Sequence, residues 1–249
     1  MPRLAVFGDV HGDIRLMYKL VDQYELRTGL HVDGVGQVGD FGVFRTGPDW
    51  ADYVFENVAA TKPTLVIMGN HEDPSEVNKW LSRPDYVKNI TLLLDGRITN
   101  FLDVRIGGIW GNYSPVSYMN PDRVFENRTT CNSHRIAMHI NRYSVETLLE
   151  QEGPMDILIT HDASKNTFPP YFGPMDPVIG EILGLSGREE MNHAKGCAGF
   201  DTVLKKFKPK YYFYGHLHTA YHLKVGGTEV DCLQAIQYDR EKCMKVIEL

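Results

Sequence analysis

The chain has few cysteines, and those it has do not cooperate. Cys131, Cys197, Cys232 and Cys243 stand far apart with no C-x-x-C spacing, so neither a zinc knot nor a disulfide framework is read from them. No stretch approaches the ~18 consecutive apolar residues of a membrane span. The opening MPRLAVFGDV carries no basic leader, long apolar run or cleavage site. These absences read as a soluble, reduced, cytoplasmic protein with no membrane partner. Internal repeats and low-complexity tracts are missing too. Positive charge is not in excess: 26 Lys and Arg against 32 Asp and Glu leave a net charge of -6, so the molecule as a whole does not attract nucleic acid by its field. The densest basic run, KKFKPK (205–210), reads as a solvated helix end.

What is present suits one large domain. The 249 residues are 43% hydrophobic, enough to bury a core without disulfides, and residues 1–249 are read as a single domain. LAVF (4–7), GVGQV (34–38) and TLVIM (64–68) read as strands. Between the first two, Ile14, Met17, Tyr18, Val21 and Tyr24 follow helical spacing. Residues 50–60 read as a second helix. This β-α-β-α-β order implies parallel strands. Residues 90–110 have short β-rich runs and a DG turn signal, hence hairpins. Residues 111–140 look irregular, and 162–200 read as long loops with one helix at most; both are candidate substrate-facing loops. Helices at 143–152 and 200–207, strands at 156–160 and 211–214, and a C-terminal hairpin with a last strand complete the pattern. The fold class expected is α/β: a two-sheet β-sandwich, mixed parallel and antiparallel, flanked by helices.

Polar residues gather where these strands end. GDVHG follows the first strand, GDFG the second, GNHED the third, THD the strand at 156–160, and GHLH the strand at 211–214. Carboxyl ends of parallel strands share one edge, where ligands bind. That edge receives Asp9, His11, Asp40, Asn70, His71, His161, His216 and His218. Residues i and i+2 of an extended segment share a face, so Asp9 with His11, and His216 with His218, are each expected to chelate from one side. So many imidazoles and carboxylates in one cleft are costly unless a cation binds them. Mixed Asp, Asn and His donors suit Mn, Fe or Zn rather than calcium. Their number exceeds what one ion takes and fits two, bridged by a carboxylate at roughly 3.5–4 Å. Gly8, Gly39, Gly69 and Gly215, each just before a ligand, leave room for the sharp turn and the ions.

In order, GDVHG, GDFG, GNHE, THD and GHLH resemble the signature of calcineurin-like metallophosphoesterases, over residues 8–218. The resemblance implies a dinuclear site at the C-terminal strand edge. Asp9, His11 and His218 would hold one ion, and Asn70, His161 and His216 the other. Asp40 would bridge them, and His71 would stand by the substrate as acid or charge stabiliser. Serine/threonine phosphatases of this family carry an Asp-Arg pair after the second motif and an Arg just before GNHE; here those segments read GDFGVFR and Met68. Arg45, five residues after Asp40, is instead similar to the GDFxxxR form of RNA lariat debranching enzymes. VRIGGIWGNY (104–113), MDILITHD (155–162) and KPKYYFYGHLH (208–218) also look like their catalytic domain, although those enzymes tend to carry Cys where this chain has Asp9.

The chemistry expected is metal-dependent phosphoester hydrolysis. Two ions sharing a water lower its pKa towards about 7, and the hydroxide attacks phosphorus in line. Asp73 or Glu72 would orient neighbouring groups, or Glu72 would be a plain surface acid. Arg45 and Asn112 are candidate substrate contacts, with Tyr113, His134, Arg135 and His193 beside them. GCAG (196–199) could present N–H groups to an anion or form an ordinary helix start. A phosphodiesterase on a nucleotide or RNA is the leading reading. A phosphomonoesterase and a non-catalytic scaffold on the same fold remain open alternatives, as does the oligomeric state.

Overall fold

The strands β1 (Arg3–Phe7), β2 (Gly34–Gln37) and β3 (Thr64–Val66) are buried along nearly their whole length. Near-continuous burial is what parallel strands covered on both faces require. They pair in parallel, with Leu4 opposite Gly34 and Val35 opposite Thr64. Helix α1 (Ile14–Thr28) crosses between β1 and β2 and buries Ile14, Met17, Tyr18 and Val21. The computed structural model describes residues 1–44, 60–83, 87–170 and 195–249. The helix expected at 50–60 lies almost wholly outside them.

Strand β4 (Ile90–Leu92) adds to β3 in parallel. Strand β11 (Met244–Glu248) pairs antiparallel with β1, giving a five-stranded sheet in the order β11-β1-β2-β3-β4. The second sheet has six strands, β5-β6-β7-β8-β10-β9. It comprises β5 (Arg97–Phe101), β6 (Val104–Ile109), β7 (Ile157–Thr160), β8 (Tyr211–Tyr214), β9 (Tyr221–Val225) and β10 (Thr228–Cys232). Its centre, β6 to β10, is parallel, and each rim is an antiparallel hairpin. The α/β two-sheet architecture is therefore as expected.

Two cores follow from alternation along β8. Phe213 points into the core between the sheets, while Tyr212 and Tyr214 point into a second core on the outer face. That second core lies under α6 (Arg142–Glu150) and α7 (Ala198–Phe207), through Val145, Leu148, Phe200 and Val203.

Two expectations are corrected. The DG signal at 95–96 is not a hairpin turn: it carries the chain from β4 in one sheet to β5 in the other. The hairpin turns instead at Leu102 and Asp103, both with positive φ (51° and 65°), the conformation that two-residue hairpin loops use. Residues 111–140 are not irregular. They form α3 (Pro115–Tyr118), α4 (Pro121–Thr130) and α5 (His134–Ala137). The signals were Ser114 before Pro115 and Asn120 before Pro121, each a capping residue followed by proline in the first turn. Helix α2 (Pro74–Ser82) begins the same way: Asp73 accepts the N–H of Ser75 at 2.8 Å. Asp73 is thus a helix cap.

Candidate metal centre

Five loops, following β1, β2, β3, β7 and β8, converge at the carboxyl ends of both sheets. The turns are abrupt. His11 (φ 47°), Asp40 (φ 54°), His216 (φ 64°) and His218 (φ 47°) all lie in the left-handed backbone region. Such residues cost of order 1–3 kcal/mol each and cluster at functional sites, where the surroundings hold them. Here the holding bonds are local. His11 N–H donates to the Asp40 carbonyl at 2.7 Å, and Leu217 N–H to that of Gly215 at 2.7 Å. Gly39 is needed for two reasons: its φ is +101°, and a Cβ there would lie 2.6 Å from His161 Nδ1. A Cβ at Gly215 would collide with the Asp9 carboxylate and one at Gly69 with that of Asp40. The glycines make room for the ligands rather than for the ions alone.

The left-handed turns overturn the extended i, i+2 argument. His216 and His218 do not share a side. The His216 ring lies 5.1 Å from that of His161, whereas the His218 ring lies 5.1 Å from that of His11. Asp9 and His11 do meet, with His11 Nε2 3.9 Å from Asp9 Oδ2, but through the turn at His11.

One half of the site is Asp9, His11, Asp40 and His218. Their ligating atoms all lie within 4.8 Å of one another. His218 Nε2 is 2.9 Å from Asp9 Oδ2, and the Nε2 atoms of His11 and His218 face each other at 3.1 Å. The other half gathers Asn70, His161 and His216 around Asp40. His161 Nε2 is 2.9 Å from Asn70 Oδ1 and 3.4 Å from Asp40 Oδ1. Its Nδ1–H donates to the Val38 carbonyl at 3.0 Å, which fixes the ring and turns Nε2 inward. Nε2 therefore faces two acceptor oxygens, a place for a cation. A divalent ion fits this donor set of imidazole, carboxylate and amide oxygen.

Asp40 lies between the halves and is 1% exposed. Its Oδ1 accepts the N–H groups of Asn70 (2.8 Å) and His71 (2.9 Å). Its Oδ2 lies 3.8 Å from His11 Nε2 and 3.9 Å from His71 Nε2. Burial alone would raise its pKa, but the His161 imidazole holds it well below the usual carboxylate range. The converse holds for His161: burial opposes its charge, yet Asp40 lifts it to about 10. The Asp9 hydrogen bond raises His218, and burial lowers His11 and His216. His71 is the open member of the group, its side chain 59% exposed.

Two supports stand behind the ligands. Gln37 is fully buried; its side-chain amide accepts the Gly39 N–H at 2.8 Å and donates to the carbonyls of Gly8 and Gly39. A glutamine inside GVGQV was the available signal. Glu72 is not a surface acid. It is fully buried and accepts the N–H of Gly42 at 3.1 Å and of Gly69 at 2.5 Å. Burial and then Asp40 push its pKa up to about 8.

Among the substrate candidates, Asn112 follows β6 at the same edge. Its flanking residues bond to Met68 and to Asp162, and its Oδ1 is buried without a partner among the described residues. Tyr113 donates its N–H to Asp162 Oδ2 at 2.8 Å. Arg45 and His193 lie outside the described residues, as do the side chains of His134 and Arg135. GCAG is an ordinary helix start: Cys197 is fully buried at the N-cap of α7, and its carbonyl accepts the Phe200 N–H at 3.1 Å.

Known proteins match this arrangement. A lariat debranching enzyme of Arabidopsis thaliana is 27% identical over 99% of this chain and 63% of its own length. The Homo sapiens lariat debranching enzyme is 26% identical over 88% of this chain and 42% of its own. The chain thus spans about two fifths to three fifths of the length of these relatives. In overall fold it is similar to the Thermus thermophilus protein TT1561, with a TM-score of 0.61 at 12% identity over 99% of this chain and 98% of that one. The phosphopantetheinyl hydrolase PptH of Mycobacterium tuberculosis gives a TM-score of 0.55 at 10% identity over 99% and 95%. The family model for calcineurin-like phosphoesterases matches residues 2–220, and with that match the chain belongs to the calcineurin-like phosphoesterase family, a family of metal-dependent phosphoester hydrolases.

Proposed function

We propose that the chain is a phosphodiesterase that acts on a nucleotide or nucleic-acid substrate with two divalent ions. Asp9, His11 and His218 would bind one ion, Asn70, His161 and His216 the other, and Asp40 both. The observation that carries this reading is the division of the Asp40 carboxylate. Oδ1 is 3.4 Å from His161 Nε2 in one half, and Oδ2 is 3.8 Å from His11 Nε2 in the other. Bound ions would supply an activated water and neutralise charge at phosphorus. The chain's own residues do the rest. The Val38 carbonyl fixes the His161 tautomer, the Asn70 and His71 N–H groups orient Asp40, and the exposed His71 imidazole gives a proton to the leaving oxygen.

Two observations support a diester over a monoester. The relatives are named lariat debranching enzymes. Met68 occupies the position where the family's serine/threonine phosphatases place an arginine, and it is fully buried, so no cation clamps a terminal phosphate from there. Manganese and a cytoplasmic location belong to the same proposal; the four unpaired cysteines support a reducing compartment. Among the described residues, no helix is long and apolar enough to cross a membrane. A single domain over 1–249 is supported by a shared core that joins residues from Leu4 to Ile247.

The test compares bis(p-nitrophenyl) phosphate with p-nitrophenyl phosphate, on protein stripped of metal and reloaded with Mn. Faster diester turnover that disappears in Asp40→Asn is expected. A monoester preference would overturn the reading. Inertness towards both, with two ions bound, would favour a scaffold.

A further inference from the structure

The segment 233–243 joins the second sheet back to β11, and nothing in the catalytic reading uses it. It is bolted to the first metal loop. Ile236 N–H donates to the Asp9 carbonyl at 2.9 Å, and the Gln237 side-chain amide donates to the Val10 carbonyl at 2.8 Å. Gly8 N–H donates to the Cys243 carbonyl at 2.9 Å. The segment is also closed on itself, with Tyr238 N–H on the Ala235 carbonyl at 3.0 Å and Cys243 N–H on that of Asp239 at 3.0 Å. On this fixed backbone Tyr238 is 70% exposed. Its ring centroid lies 5.4 Å from that of His218, tilted by 43°. Phe44 is 36% exposed, and its ring edge would lie 3.1 Å from a Cβ on Gly12.

A lone exposed tyrosine is ordinary. One whose segment is hydrogen-bonded to a candidate metal ligand and its neighbours, and that is largely open to solvent, is a prepared surface. A flat ring beside a phosphate site takes a nucleobase, because every base has a π-face to stack. The net charge of -6 makes such non-ionic recognition more valuable, since the molecule's overall field repels a polyanion.

We propose that Tyr238 is the stacking platform for a nucleobase of the substrate, on the side of the site formed by His11 and His218. This rests on the nucleotide reading above. Tyr238 thereby selects nucleotide diesters over diesters without a base.

The test uses thymidine 5′-(p-nitrophenyl phosphate) and methyl p-nitrophenyl phosphate, which share leaving group and charge and differ by a nucleoside. In the Mn-loaded 249-residue chain, Tyr238→Ala should lower kcat/KM for the thymidine ester about tenfold, mainly through KM. The methyl ester should be unaffected, and Tyr238→Phe should behave as wild type. By calorimetry, thymidine 5′-phosphate should bind wild type more tightly than methyl phosphate, and Tyr238→Ala should abolish that difference. Equal loss on both esters would make Tyr238 a residue that only steadies His218, and would overturn the platform. No change on either would overturn it as well. A wild type that hydrolyses neither diester would sink the phosphodiesterase reading itself, and the platform with it.

Discussion

Glu72 carries an acid into the driest part of the site, where it touches no substrate. Two backbone N–H groups, from Gly42 and Gly69, point at its two oxygens. They join the loop after β2 to the loop after β3, the loops that deliver Asp40 and Asn70. Glu72→Gln keeps the shape but sets an NH2 group against one of those donors. A buried donor left unpaired costs about 1–3 kcal/mol. We expect a loss of that size in urea unfolding of the metal-free protein at pH 9, above the Glu72 pKa of about 8, together with weaker Mn binding. An unchanged midpoint would mean that the loops hold themselves. Nothing in GNHED told this burial from a surface charge, because burial of one acid depends on two loops distant in sequence. The clustering of the candidate ligands was legible for the opposite reason: each follows a strand directly, so the strand end fixes its place.

At the scale of elements, one side chain ties two of the three short helices after β6, α4 and α5, to each other and to Asp95. Arg128 of α4 pairs with Asp95, donates to the carbonyls of Ala137 (2.8 Å) and His139 (2.9 Å), and lies 5.8 Å over Trp110. Asp95 also accepts the Trp110 N–H (2.9 Å) and the Ser144 hydroxyl (2.6 Å). Arg128→Met would leave a largely buried carboxylate without its cation and free the α4–α5 connection. Allowing for partial solvent screening, the cost should be about 2 kcal/mol by chemical denaturation. A loss under ~0.5 kcal/mol would show the fastening to be redundant. The strands and α1 were readable because their periodicity is strong. These helices were not: α3 and α5 are only four residues long, too short to show a period, and proline signals announced only α3 and α4. The histidine pair failed for a related reason. Spacing by two implies one face only in extended backbone, and left-handed φ at His216 and His218 sends the rings apart.

Across the whole molecule, protons and metal ions compete for the same seats. His161, lifted to about 10 by Asp40 against its burial, is protonated at pH 7.5 in the metal-free protein. Because its pKa is raised, this group stabilises the metal-free fold fully below about 6.5, and that contribution fades as pH rises through about 10. Ligation requires neutral imidazole. Loading Mn at pH 7.5 should therefore release about one proton from this residue, read by calorimetry in two buffers of different ionisation enthalpy. Affinity should rise with pH over the same range. No net release would mean that His161 is already neutral.

The candidate ligands are divided between the two sheets in another sense. Asp9, His11, Asp40 and Asn70 follow strands of the five-stranded sheet, while His161, His216 and His218 follow strands of the six-stranded one. His11 and His218 are 207 residues apart in sequence. An ion seated between them would be a removable cross-link, closing one of the longest loops in the chain. Like other cross-links, it would cost the unfolded chain most where the loop is longest. Chelation should then do more than stop catalysis. It should unpin the carboxyl edge of the sandwich, so that amide exchange quickens at the ends of β1 and β8 together while the opposite edge keeps its protection.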